Sequence, residues 1–189
     1  MRTAGRRFGL PRDKLVSFLS SLFGLRKKPV QFCRFRDPLG DFDIFHPVGW
    51  RTDRDIAVVG GKYTISFESG QSSFTVSVDT DIPKKFSFSK YAKAELESPA
   101  SGIYTPVKKG SFRDMPAYRR EYSYTSEGKN YFGGGVMFFT GKAVFSVSWS
   151  ALEGRKAEFQ AIFDHMLKTL TVREGFLIRR VRRVRGVTG

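Results

Sequence analysis

The sequence predicts an α+β fold: a mostly antiparallel sheet of about six to seven strands with a carboxyl-terminal meander, flanked by helices as an α/β/α sandwich. Three observations carry that prediction. Apolar and polar residues alternate in several runs of the central sequence, three consecutive runs are joined by short glycine turns, and one long amphipathic helix follows the last of them. The chain has 189 residues, 40% of them apolar and 19 of them Phe, which is enough to bury a core in one domain without disulfides or metals. Cys33 is the sole cysteine, so no intramolecular disulfide can form.

Phe42–Phe45 opens the series as a short strand, stopped by the turn signal Pro47-Val48-Gly49. Val58–Phe67 alternates, with Tyr63, Ile65 and Phe67 on one face, and Ser73–Val78 does the same through Phe74, Val76 and Val78. Ser89–Ser98 is predicted as a helix closed by Pro99. Strands are expected near Tyr104–Gly110, Ala117–Thr125, Asn130–Thr140 and Ala143–Ser150. Glu127-Gly128-Lys129 and Thr140-Gly141-Lys142 turn the last three into a meander. Gly133-Gly134-Gly135 marks a place where a helix or neighbouring backbone approaches the sheet closely. The helix Leu152–Leu170 lays Phe159, Ile162, Phe163, Met166, Leu167 and Leu170 on one stripe, a face made to cover a sheet.

The order of these landmarks resembles a known family. Phe42-Asp43-Ile44-Phe45 runs into His46-Pro47-Val48-Gly49-Trp50; Met115-Pro116-Ala117-Tyr118 enters a long strand; Val144-Phe145-Ser146-Val147-Ser148 ends the meander; and a helix closes on Phe163-Asp164-His165-Met166-Leu167. This looks like the PsbP-like family, which takes in extrinsic photosystem II subunits, a nuclear Ran-binding factor and many prokaryotic proteins. The resemblance covers about residues 35–172 and implies an antiparallel sheet flanked by helices with a non-enzymatic docking role. It carries over no functional residues, and photosystem II itself is not implied.

Charge divides the chain into a basic arm (1–34), a PsbP-like domain (35–172) and an Arg-rich tail (173–189). The net charge is +15. Residues 1–36 hold ten Lys/Arg against Asp13 alone, and residues 173–189 hold six Arg against Glu174 alone. The middle has 17 basic and 16 acidic residues, so the expectation is a neutral globule with cationic ends and no basic face built into the domain. In the arm, Leu15, Phe18, Leu19, Leu22 and Phe23 fall on one helical stripe, followed by Arg26, Lys27 and Lys28. This stretch, residues 15–25, is eleven residues long, too short to span a bilayer, for which about 20 are needed. It suits a helix lying in the headgroup region, or one packed on the domain's own sheet. A secretory signal would end in small residues rather than Arg-Lys-Lys, while an organelle transit peptide fits the Arg- and Ser-rich composition. In the tail, Arg179, Arg180, Arg182, Arg183 and Arg185 surround Leu177, Ile178, Val181 and Val184. These cations suit anionic lipid, at about 1 kcal/mol each, or nucleic-acid phosphates.

No catalytic or cofactor motif is present. His46 and His165 have no cysteine or carboxylate at ligand spacing, and zinc would need both with Cys33 and a carboxylate. The pairs Asp41/Asp43, Asp53/Asp55 and Asp79/Asp81 read as solvated strand-end carboxylates, with Asp79 and Asp81 the weak candidates for a divalent ion. Gly135–Lys142 has the wrong spacing for a phosphate loop, and Ser87-x-x-Lys90 stands without the other motifs of its enzyme class. The expected function is a non-enzymatic docking module with no cofactor and no small-molecule substrate. It would be cytoplasmic and peripheral to an anionic membrane, or bound to a protein partner, through its basic tails. The alternatives are non-sequence-specific nucleic-acid association through the same tails, and a cryptic hydrolase or metal-dependent enzyme.

Overall fold

A computed structural model describes residues 29–53, 58–97 and 102–173. The chain divides after Gln31, and every element below belongs to the unit beginning at Phe32. The first strands are β1 (Phe32–Arg36), β2 (Phe42–Pro47), β3 (Arg51–Thr52), β4 (Lys62–Ser69) and β5 (Ser72–Asp79). Helix α1 (Phe88–Glu97) leads to β6 (Ile103–Tyr104), β7 (Lys108–Phe112), β8 (Met115–Ser126), β9 (Lys129–Phe139) and β10 (Val144–Leu152). A 3-10 turn, Glu153–Arg155, then gives α2 (Lys156–Thr169) and β11 (Thr171–Val172).

All pairings are antiparallel. The large sheet runs β3-β4-β5-β10-β9-β8-β6, with β7 pairing β8, and a second sheet runs β1-β2-β11. The expected meander is β8-β9-β10. Three expectations change. Tyr104–Gly110 is two strands rather than one, parted at Thr105–Val107, where Pro106 has no N–H to give a ladder. Val58–Gly61 is a turn rather than strand, because Gly60 and Gly61 take φ of 54° and 75°, which side-chain-bearing residues rarely adopt. Leu152 belongs to β10, so the last helix starts only at Lys156.

The register fixes two different faces on the large sheet. Tyr63, Val78, Phe145, Phe138 and Ala117 stand opposite one another across five strands, all buried. One residue along, Thr64, Ser77, Ser146, Met137 and Tyr118 make the matching row on the other face. Helix α2 covers the first face with Phe159, Ile162, Phe163 and Met166, and it also packs on β2. Each such side chain contributes about 1.5–3 kcal/mol when removed from water. Phe163 meets Phe74, Phe132 and Trp149 at ring centroids of 6.1–6.4 Å. Helix α1 covers one end of the second face, where Ala92 packs with Tyr118, Met137 and Val144. A helix on each face makes the α/β/α sandwich.

The glycine triplet serves this arrangement in two ways. A Cβ on Gly134 would lie 2.5 Å from the Trp149 ring, whereas one on Gly135 would meet the Leu96 methyl of α1 at 3.3 Å. Only Gly135 makes room for a helix; Gly134 makes room for a core ring.

The small sheet gathers one of the acidic pairs. Asp41 and Asp43 are buried rather than solvated, because β1 and β11 close over them from both sides of β2. Tyr63 Oη lies 2.6 Å from Asp37 Oδ2 and 2.8 Å from Asp41 Oδ2. Burial, with those two carboxylates, pushes its phenol far above the ordinary tyrosine value. Asp43 Oδ2 accepts from Arg34 at 2.6 Å and from Arg173 at 2.5 Å. Burial raises the Asp43 carboxyl, but the two guanidiniums outweigh it and hold the group below the usual aspartate value. Two arginines counted with the basic ends are thus drawn onto one carboxylate of the domain.

Candidate functional site

A concavity lies where the β7–β8 hairpin curls towards the carboxyl end of α2. Arg113 and Asp114 form the hairpin turn with φ of 47° and 67°, the left-handed pair that a two-residue antiparallel turn requires. The turn places the Arg113 guanidinium on the Lys168 carbonyl, one of the last carbonyls of α2 that has no partner within the helix. Hairpin tip and helix end are thereby tied together, and a groove of about 580 Å³ opens between them. That is within the range of about 300–1,000 Å³ typical of ligand pockets.

Its floor is apolar. Ala117 and Val136 come from the core-facing rows of β8 and β9, and Phe112 stacks on Phe138 with centroids 4.4 Å apart. Leu167 of α2 forms the wall, half-buried at the edge of its helical stripe. Gly110 sits opposite Ala117, and a Cβ there would meet nothing within 4 Å, so the groove is open above it. The rim carries Lys108, Lys109, Arg113, Arg119 and Lys168 against one carboxylate, Asp164. Asp164 accepts from the Gln160 amide at 2.9 Å, and Arg119 reaches Glu121 at 3.3 Å. Among the described residues Lys108, Lys109 and Lys168 have no carboxylate partner. The expectation of a domain without a basic face is therefore corrected. Overall neutrality hid a local cluster, because its members come from β7, β8 and the far end of α2.

The other residues singled out by sequence fall elsewhere. Leu15, Phe18, Leu19, Leu22 and Phe23, with Arg26, Lys27 and Lys28, lie outside the described residues, as do Arg179, Arg180, Arg182, Arg183 and Arg185. Asp79 and Asp81 form a surface turn in which Asp79 Oδ1 accepts the Asp81 N–H at 3.0 Å. Among the described residues no group of three His, Cys, Asp or Glu side chains is placed to hold a metal ion. No helix among them is long and apolar enough to cross a membrane.

Cys33 and His46, thirteen residues apart, are direct partners across β1 and β2, which puts Sγ 3.4 Å from Nε2. The spacing argument missed this pair because strand pairing, not sequence proximity, makes it. His46 Nδ1 lies 3.1 Å from the Pro47 carbonyl, which can only accept, so Nδ1 carries a proton, and the Cys33 thiol donates to the His46 carbonyl at 3.7 Å. The ring packs against Phe67 at 4.9 Å, and neither residue lines the groove. His165 stacks on Phe32 at 4.0 Å.

The fold is PsbP-like. The chain is similar to cyanobacterial PsbP (CyanoP) from Synechocystis, with a TM-score of 0.56 over 78% of this chain and 96% of that one, at 12% identity. It is also similar to a protein from Bacteroides thetaiotaomicron, with a TM-score of 0.52 over 75% of this chain and 48% of that one, at 17% identity. No protein-family profile and no curated protein matches the sequence. At these identities the likeness is one of fold.

Proposed function

We propose that this PsbP-like domain is a non-enzymatic docking module that takes an acidic segment of a partner protein into the groove between the β7–β8 hairpin and α2. One observation carries the reading: five cationic side chains ring an apolar floor in a domain whose overall charge is close to zero. An apolar side chain of the partner seats over Ala117, Val136 and Phe112, and flanking carboxylates meet Lys108 and Lys168 across the opening. A concave site of this kind suits a protruding segment better than a flat bilayer. The basic arm and tail add long-range attraction for the same partner, raising the encounter rate in a salt-dependent way.

Fluorescence anisotropy of the full chain with a labelled peptide of alternating Glu and Phe tests the proposal. Reversing two rim charges together, Lys108→Glu with Lys168→Glu, is expected to weaken binding by about tenfold or more, equivalent to about 1.4 kcal/mol. Gly110→Leu, which fills the open floor, is expected to do the same with no charge altered. Binding indifferent to both changes overturns the proposal. Retention of anionic vesicles or random duplex DNA by the charge-reversed protein would assign the cationic ends to lipid or nucleic acid instead.

A further inference from the structure

A second cavity, of about 560 Å³, opens on the other face of the large sheet beside α1. Its chemistry differs from that of the groove. Tyr104, Tyr122 and Tyr124 line it, Ser148 and Gly135 belong to its sheet side, and among the described residues Glu95 and Arg120 are the only charged ones in its lining. Arg120 is already held: its guanidinium lies 4.0 Å over the Tyr104 ring, and it donates to the Thr105 and Leu96 carbonyls. The tyrosines are fixed as well. The Tyr122 ring lies where a Gly133 side chain would be, and its hydroxyl donates to the Trp149 carbonyl at 3.1 Å. Tyr124 stacks on Tyr131 with centroids 5.0 Å apart and planes 11° from parallel. Burial pushes the Tyr122 phenol up to about 12, with Tyr124 and Tyr104 adding to it, so this ring is neutral.

From the tyrosines the sheet continues as a surface of small hydroxyls. Thr64 pairs with Ser77 at 2.8 Å, Ser66 with Thr75 at 3.2 Å and Ser73 with Ser150 at 3.2 Å, all half-exposed or exposed. Ser148 stands between Thr75 and Gly135 and joins this surface to the cavity. Each hydroxyl both donates and accepts, and none carries charge. Rigid tyrosine rings offer flat negative faces to polarised C–H groups. A ligand matched to such a surface is uncharged, carries its own hydroxyls that donate and accept, and has flat C–H faces.

We infer that the tyrosine-lined cavity and the adjoining Ser/Thr surface bind a neutral pyranose oligosaccharide. One sugar ring stacks on Tyr124, and the next residues hydrogen-bond along Ser148 and the hydroxyl rows of β10 and β5. A single-stranded nucleic acid would also stack on tyrosine, but it needs a cationic track for its phosphates, and the one guanidinium here is committed to carbonyls and a ring.

Titration calorimetry of the full chain with cellohexaose, maltohexaose and chitohexaose tests this. Binding of at least one is expected. Tyr124→Ala should weaken it by about tenfold or more, while Tyr124→Phe, which keeps the ring, should hold it within about twofold. Ser148→Leu, at an exposed strand position, should abolish it without touching a tyrosine, and Lys108→Glu with Lys168→Glu on the other face should leave it unchanged. The inference is overturned if none of the three sugars binds at millimolar concentration, or if binding survives both Tyr124→Ala and Ser148→Leu. It is equally overturned if these two substitutions instead remove binding of a labelled single-stranded RNA.

Discussion

The two faces of the eight-stranded sheet share one backbone and differ in nearly everything else. Phe74, Val76 and Val78 of β5 point into the core, while Ser73, Thr75 and Ser77, the residues between them, carry hydroxyls only. The core face is covered by α2, and at its open end, beyond Val136, the apolar floor emerges under a cationic rim. Among the described residues the hydroxyl face is covered by α1 at one end only and is close to neutral. Alternation at period two therefore does more than separate inside from outside. It gives one sheet two surfaces of opposite chemistry, one apolar under a cationic rim and one lined by uncharged hydroxyls.

Substitutions that strike one face and spare the other sharpen this contrast. The largest effect is expected for Trp149→Ala, which empties the space between Phe74 and Phe163 and should cost about 3–5 kcal/mol in urea unfolding. Neighbouring glycines offer the cleanest comparison. Gly134→Ala drives a Cβ to 2.5 Å from the Trp149 ring and should cost about 1–3 kcal/mol, since that ring has no room to move. Gly135→Ala meets the Leu96 methyl at 3.3 Å and the Val147 carbonyl at an ordinary 3.7 Å, and should cost less than about 1 kcal/mol. Equal costs at the two positions would break the contrast.

Asp43→Asn comes next, at about 1–2 kcal/mol, because Arg34 and Arg173 are 45% and 38% exposed and water screens part of the attraction. The sign of its pH dependence follows from the lowered carboxyl. The stabilisation is complete above the ordinary value of 3.8 and is lost as pH falls through the still lower folded value, so Asp43→Asn should flatten the acid limb of the stability profile. The smallest effect is expected for Ser77→Ala, whose partner Thr64 is exposed and can turn to water, leaving stability within about 0.5 kcal/mol.

The long elements were legible because each carried its own period. The β8-β9-β10 meander, the alternating β4 and β5 and the stripe of α2 all follow from residue spacing, and the glycine triplet correctly marked a close approach. Strands β3, β6 and β11 have two residues each, too short to show any alternation, and they exist because β4, β8 and β2 offer free edges. Strand β1 was obscured by its basic residues, since Arg34 is stabilised by Asp43 of β2 rather than by anything local. The groove was hidden for the same reason. Lys108-Lys109 was a visible local signal, but Lys168 joins it only after α2 crosses the sheet. Tyr118, Tyr122 and Tyr124 were equally visible at even spacing, yet their shared face gained meaning only once Tyr104 and Tyr131 were placed beside them.

The most direct test is amide chemical-shift mapping of the isotope-labelled full chain titrated with the Glu-Phe peptide. Perturbations concentrated on β7, the first half of β8 and the last turn of α2 are predicted, with the hydroxyl rows of β4 and β5 silent. Shifts confined to residues 1–28 and 174–189, with Lys108, Ala117 and Leu167 unmoved, would contradict docking in the groove and return recognition to the charged ends alone.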